Sequence, residues 1–93
     1  MAPDPEAQAQ LARLLADESL RAASETDISR AVDARFDLLV DGVIAEAAAS
    51  DDVFDRDSAL EFVSARVDNL RGVLTASQAS RLLESVQGKI EAW

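Results

Sequence analysis

Apolar side chains recur every three or four positions along nearly the whole of this chain, and no segment alternates apolar with polar long enough to make a strand. An α-helix advances about 100° per residue, so this spacing gathers apolar groups on one side of each helix. The C-terminal segment is the cleanest case. Ala79, Leu82, Leu83, Val86, Ile90 and Trp93 fall in one narrow arc, with Ser80, Arg81, Glu84, Ser85, Gln87 and Glu91 outside it. The pattern predicts an all-α, four-helix bundle-like single domain spanning residues 1–93, with residues 1–4 disordered.

Turn and cap chemistry divides the chain into helices over about 5–23, 27–49, 58–71 and 76–92. Asp4 and Pro5 suit the N-cap and first position of the first, with Glu6 favouring the positive end of its dipole. Ser24-Glu25-Thr26 breaks it, and Thr26 is the expected N-cap of the second. Ser58-Ala59-Leu60-Glu61 and Thr75-Ala76-Ser77-Gln78 both have capping-box spacing, with Leu74 placed to staple onto Ala79. Gly72 suits a left-handed residue closing the third helix. In that helix Leu60, Val63, Val67 and Leu70 face the core, with Phe62 on one flank. Leu11, Leu14 and Leu15 form the stripe of the first, but Glu18 enters that arc and Leu20 points away. The first helix is therefore expected to fray.

The second helix carries two faces. Ile28, Val32, Phe36, Leu39, Val40, Val43, Ile44 and Ala47 form a broad core stripe. Ala31, Ala34, Leu38, Gly42, Ala45 and Ala49 lie opposite, with Arg35 on the edge and Asp33, Asp37 and Asp41 between the faces. A mid-helix Gly costs about 1 kcal/mol against Ala, which a close helix contact would rationalise. Three readings stay open. The helix runs through the middle of the monomer, its small-residue face meets a second copy across a two-fold axis to form a homodimer, or alanine simply fills an exposed face. Its expected length of roughly 34 Å exceeds that of the other helices.

Composition narrows the chemistry. The chain has 9 Lys+Arg against 18 Asp+Glu, a net charge of −9, and neither His nor Cys. Disulfides, thiol chemistry and the usual zinc, haem and iron–sulfur sites are excluded, as is an imidazole base. The charge argues against direct binding to nucleic acid or anionic lipid. Of 45 apolar residues 18 are Ala, so the large side chains suffice for one core. No apolar run approaches the ~20 residues of a membrane span, and the acidic N-terminus lacks a signal-peptide pattern. A cytoplasmic location is expected.

The acid-rich connection Asp51-Asp52-Val53-Phe54-Asp55-Arg56-Asp57 is the one ligand-like cluster. It fails as a calcium loop, because Ala59 and Leu60 occupy the fifth and sixth positions counted from Asp55 and Arg66 stands where the closing Glu belongs. Helix capping by Asp55, Asp57 or Ser58 accounts for these acids. The Asp33/Asp37/Asp41 spacing reads as a solvated face rather than paired acid–base groups, and the isolated Gly42, Gly72 and Gly88 form no phosphate loop. No cofactor, metal site or catalysis is expected. Leu74-Thr75-Ala76-Ser77-Gln78 is similar to the LTxxQ motif of Spy-like periplasmic helical chaperones. The likeness covers five residues that staple and capping box already explain, and the chain departs from that family in its N-terminus and in having a single Met.

A protein–protein interaction module remains: an adaptor, assembly subunit or regulator of another protein. The residues expected to carry contacts are Ala31, Ala34, Leu38, Gly42, Ala45 and Ala49, the acids Asp33, Asp37 and Asp41, and Phe54 and Phe62. The alternative is an acidic inhibitor that mimics nucleic acid towards a basic protein. Trp93, continuing the last apolar stripe, is expected to be buried.

Overall fold

The computed structural model describes residues 4–93, and its described elements are all helical. The elements are α1 (Pro5–Leu14), a 3₁₀ turn (Glu18–Ala22), α2 (Glu25–Ala34), α3 (Phe36–Ala49), α4 (Arg56–Leu70) and α5 (Ala76–Glu91). The layout keeps the expected bundle but divides it differently in two places. Residues 1–3, part of the segment expected to be disordered, lie outside the described residues.

The first difference is the end of α1. Asp4 caps it as anticipated, its carboxylate accepting from the N–H of Glu6 at 2.9 Å, with Pro5 next in line. The helix stops at Leu14 rather than near Ala23, because Ala16 takes a left-handed conformation with φ 52°. Two reversed bonds close it: Ala16 N–H to Arg13 O at 3.2 Å and Asp17 N–H to Ala12 O at 2.9 Å. This is the Schellman arrangement, with Ala where Gly is usual. The reversal turns Leu20 into the core and leaves Glu18 in solvent. Glu18 therefore does not interrupt the stripe of α1, and Leu11 and Leu15 are fully buried. Gln8, also buried, ties the turn down by donating to Leu20 O at 2.7 Å and Ala23 O at 3.1 Å.

The second difference is a break at Arg35, whose backbone (φ −123°, ψ 32°) separates α2 from α3. The apolar period passes through it unshifted, with Ile28, Val32, Leu39 and Val43 all fully buried. Arg35 N–H still bonds Ala31 O, and Arg35 O accepts from Leu39 N–H, so the bend is local. Its guanidinium lies 3.3 Å from Asp17, linking the bend to the end of α1. At 14 residues α3 is shorter than α4 and α5, contrary to the expected overhang.

Caps shift with the boundaries. Ser24, rather than Thr26, caps α2 by accepting from Asp27 N–H. Of the candidates Asp55, Asp57 and Ser58, Asp55 caps α4 by accepting from the Ser58 N–H at 2.8 Å, so the helix starts before Ser58. The α5 capping box forms as expected: Gln78 N–H donates to Thr75 Oγ1 and Thr75 N–H to Gln78 Oε1, both at 3.1 Å. Leu74 and Ala79, the expected staple pair, are both buried. Gly72 is not left-handed. It is required for space, because a Cβ there would lie 2.7 Å from Asp4 Cβ.

The core sits between α3, α4 and α5, which pack on one another, with α1 laid across α3 and α4 and α2 against α3. Val63, Val67 and Leu70 of α4 meet this core along with Leu82, Val86 and Ile90 of α5, all without measurable exposure. Val53 in the α3–α4 connection packs against the same core. It anchors the base of a loop whose next residue faces solvent.

Candidate interaction surface

The sequence-predicted small-residue face is divided by the fold. Gly42 meets α1 of its own chain: a Cβ there would stand 3.3 Å from Leu14 Cδ2 and 3.4 Å from Leu14 O. The close approach that the Gly permits is thus intramolecular, which matches the reading of this helix as central to the monomer. Ala31 is half-buried against the core, whereas Ala34, Ala45 and Ala49 are exposed and Leu38 is half-exposed. The intervening acids are partly committed. Asp33 accepts from Gln78 Nε2 at 2.9 Å, Asp41 pairs with Lys89 at 2.9 Å, and Asp37 stands exposed.

A different surface emerges where the α3–α4 connection meets the end of α5. Phe54 is 83% exposed and Trp93 is 54% exposed, the two largest side chains left outside the core. Phe54 occupies the position before the α4 N-cap, where a staple would pack it on the residue four into the helix. That residue is Ala59, already fully buried and too small to cover a ring. The backbone on either side is nonetheless held. Asp52 N–H donates to Ser50 Oγ and Val53 N–H to Ser50 O, while the Asp55 cap closes the other side. Phe54 is a solvent-facing ring on a backbone held from both sides.

Trp93 corrects the expectation of burial. The α-helical path ends at Glu91, and Trp93 N–H bonds Ile90 O at 3.0 Å in a tighter terminal turn. The 100° advance that buries Ile90 therefore does not carry on to Trp93. The side chain instead lines an open groove of about 380 Å³ with Ala48, Val53, Phe54, Asp55 and Arg56. On the other side of Phe54 a second groove of about 380 Å³ is lined by Asp52, Val53, Ser58, Glu61 and the half-buried Phe62. Phe54 is the ridge between them. The sequence places Phe54 and Phe62 near one loop and Asp52 in its acid-rich cluster. It does not single out Glu61 for this surface, and it misses Trp93, whose place beside Phe54 depends on α5 ending next to the α3–α4 connection.

The surroundings are acidic. Asp51, Asp52, Asp55, Asp57 and Glu61 are all exposed. The Ser58 N–H and then the Ser58 hydroxyl hold the Asp55 carboxyl below its ordinary range, so it carries full charge at neutral pH. Arg56 is the cation lining the first groove, and its guanidinium donates to Glu91 O at 3.2 Å.

A separate cleft of about 240 Å³ between α1 and α4 is lined by Asp4, Glu6, Gln10, Arg13, Arg66 and Asn69. Its arginines and acids are mixed, and Arg66 is engaged elsewhere, its Nε 2.8 Å from Glu46 Oε2 and its guanidinium 5.5 Å from the Phe62 ring centre. Among the described residues no three His, Cys, Asp or Glu side chains gather as metal ligands, and no helix is long and apolar enough to cross a membrane. Comparison with protein-family models, with curated proteins and with solved structures finds no match.

Proposed function

We propose that this chain is a protein–protein interaction module whose contact surface is the aromatic end built by Phe54, Trp93 and Phe62. One observation carries the reading: two large aromatic side chains stand in solvent around open grooves, on a bundle that buries most of its other large apolar groups. Exposed aromatics that flank a concave, apolar-floored surface are the usual anchors of protein contacts. A role as regulator, adaptor or assembly subunit is the use proposed for this surface, and no catalytic step is assigned to it.

The test compares affinity capture by the wild-type chain and by a Phe54→Ser/Trp93→Ser variant, with the captured proteins identified by mass spectrometry. Both residues are exposed, so the variant is expected to retain its helicity by circular dichroism. A protein retained by the wild type and lost with the variant supports the reading. Identical capture by both chains overturns it.

A further inference from the structure

The two grooves beside Phe54 differ in chemistry. The groove towards Trp93 carries Ala48 and Val53 with one cation and one carboxylate. The groove towards Phe62 has two rings and two carboxylates, Asp52 and Glu61, and no cation in its lining. Arg66 already stands 5.5 Å from the Phe62 ring centre but is paired with Glu46, which leaves the exposed Phe54 ring as the one without a cation partner. Aromatic faces combined with carboxylates are the surroundings in which a guanidinium or ammonium group is stabilised by ring quadrupole and by charge. Resting on the interaction reading above, we propose that the groove between Phe54 and Phe62 receives a lysine or arginine side chain from an amphipathic segment of a partner protein. An apolar side chain of the same segment enters the groove between Phe54 and Trp93.

Three features select this occupant. Asp55 lines the neighbouring groove, Asp51 and Asp57 stand exposed within three residues of Phe54 in the sequence, and the whole chain carries −9. Arg56, the cation beside the ridge, is already bonded to Glu91 O and lies in the other groove. A second copy would bring the same acidic rim against this one, and a phosphate backbone or anionic membrane would meet it with like charge. The grooves flank a single ring, and a helix presents side chains about 5–6 Å apart at positions three or four residues distant. A basic amphipathic helix therefore offers both groups at once.

Trp93 is the single tryptophan, so its emission reports occupancy of the neighbouring groove. The experiment titrates the full chain with two short Trp-free amphipathic peptides, one of Leu and Lys and one with Gln in place of every Lys. At low salt the Lys peptide is expected to bind about tenfold more tightly, the combined effect of one ring contact and two exposed carboxylates. Added salt reduces the preference. The Asp52→Asn/Glu61→Gln variant should lose the tenfold difference while still binding the Gln peptide. Phe54→Ser, checked for folding by circular dichroism, should lose the Trp93 response to both.

Equal affinity for the two peptides overturns the proposal. So does a preference that survives the Asp52/Glu61 double variant, because the overall charge would then be its source. Trp93 emission that changes with protein concentration alone, and no longer does so in Phe54→Ser, would give the site to a second copy. A captured protein that needs Phe54 and Trp93 but is indifferent to Asp52 and Glu61 leaves the interaction reading standing and removes the cation from it.

Discussion

Ala16 is the one described non-glycine residue with positive φ, and it sits where the chain must reverse to bring Leu20 inward. A left-handed Ala costs about 1–2 kcal/mol, partly offset in the Gly variant by the greater freedom of its unfolded chain. Ala16→Gly is therefore expected to stabilise the protein by about 0.5–1 kcal/mol, read as a higher urea midpoint at unchanged slope. Gln78 serves two elements at once, completing the α5 capping box while its Nε2 donates to Ser29 O at 3.1 Å and Asp33 Oδ1 at 2.9 Å. Glu at this position keeps the box but loses both donors and sets a second carboxylate against Asp33. Gln78→Glu should cost about 1–3 kcal/mol at pH 7, with part of the loss recovered below pH ~4 as the introduced carboxyl protonates. An unchanged melting temperature would remove the link between α2 and α5.

At the scale of elements, α1 is integral rather than frayed as its interrupted stripe suggested. Ala7, Leu11, Ala12 and Leu15 are buried, and Leu14 covers Gly42 of α3. A Leu at position 42 would drive a branched side chain into Leu14 and its carbonyl, so Gly42→Leu should destabilise by about 1–3 kcal/mol through displacement of α1. Amide exchange localises the effect: faster exchange across residues 8–15 is the expected result, and a change confined to α3 would refute the α1–α3 contact.

The caps of two elements titrate in a defined direction. The Ser19 hydroxyl, aided by the Ser19 N–H and Arg35, lowers the Asp17 carboxyl, and Ser58 lowers Asp55. Both groups are more acidic folded than unfolded, so their stabilisation is complete well above the unfolded pKa and is lost as pH falls through the folded one. The melting temperature should decline on acidification below about pH 4, and Asp55→Asn, which caps without titrating, should show a shallower decline.

For the whole molecule, a 37 × 24 × 20 Å body closes its own core, and the arguments for a two-fold dimer through α3 lose their main supports. Gly42 is covered by Leu14, and the long second helix is two shorter ones. With −9 charges to repel a copy, the chain is expected to sediment as a monomer at tens of micromolar in moderate salt. A dimer that persists in Phe54→Ser would return the α3 face to consideration.

Periodicity and caps, both local properties, made much of the bundle legible. The stripes of α4 and α5, the Asp4 and Thr75 caps and the capping-box Gln78 are where short-range geometry puts them. Ala34 and Arg35 carry no helix-stop chemistry, so the break had no local signal. At the reversal Ala16 is not a glycine, and the local mark is Asp17, which caps the 3₁₀ turn by accepting from the Ser19 N–H. The reversal buries Leu20, a tertiary gain; the break at Arg35 is accompanied by its exposed ion pair with Asp17, a contact too weak by itself to impose it. The sequence by itself determined the helical class, the single core and the acidic, His- and Cys-free chemistry, because composition and a 3.6-residue period act over a few neighbours. Only the tertiary structure decided that Gly42 faces Leu14 and that Trp93 comes to lie beside Phe54, because those contacts join segments far apart in the chain, whereas the Phe54–Phe62 groove is built within residues 52–62.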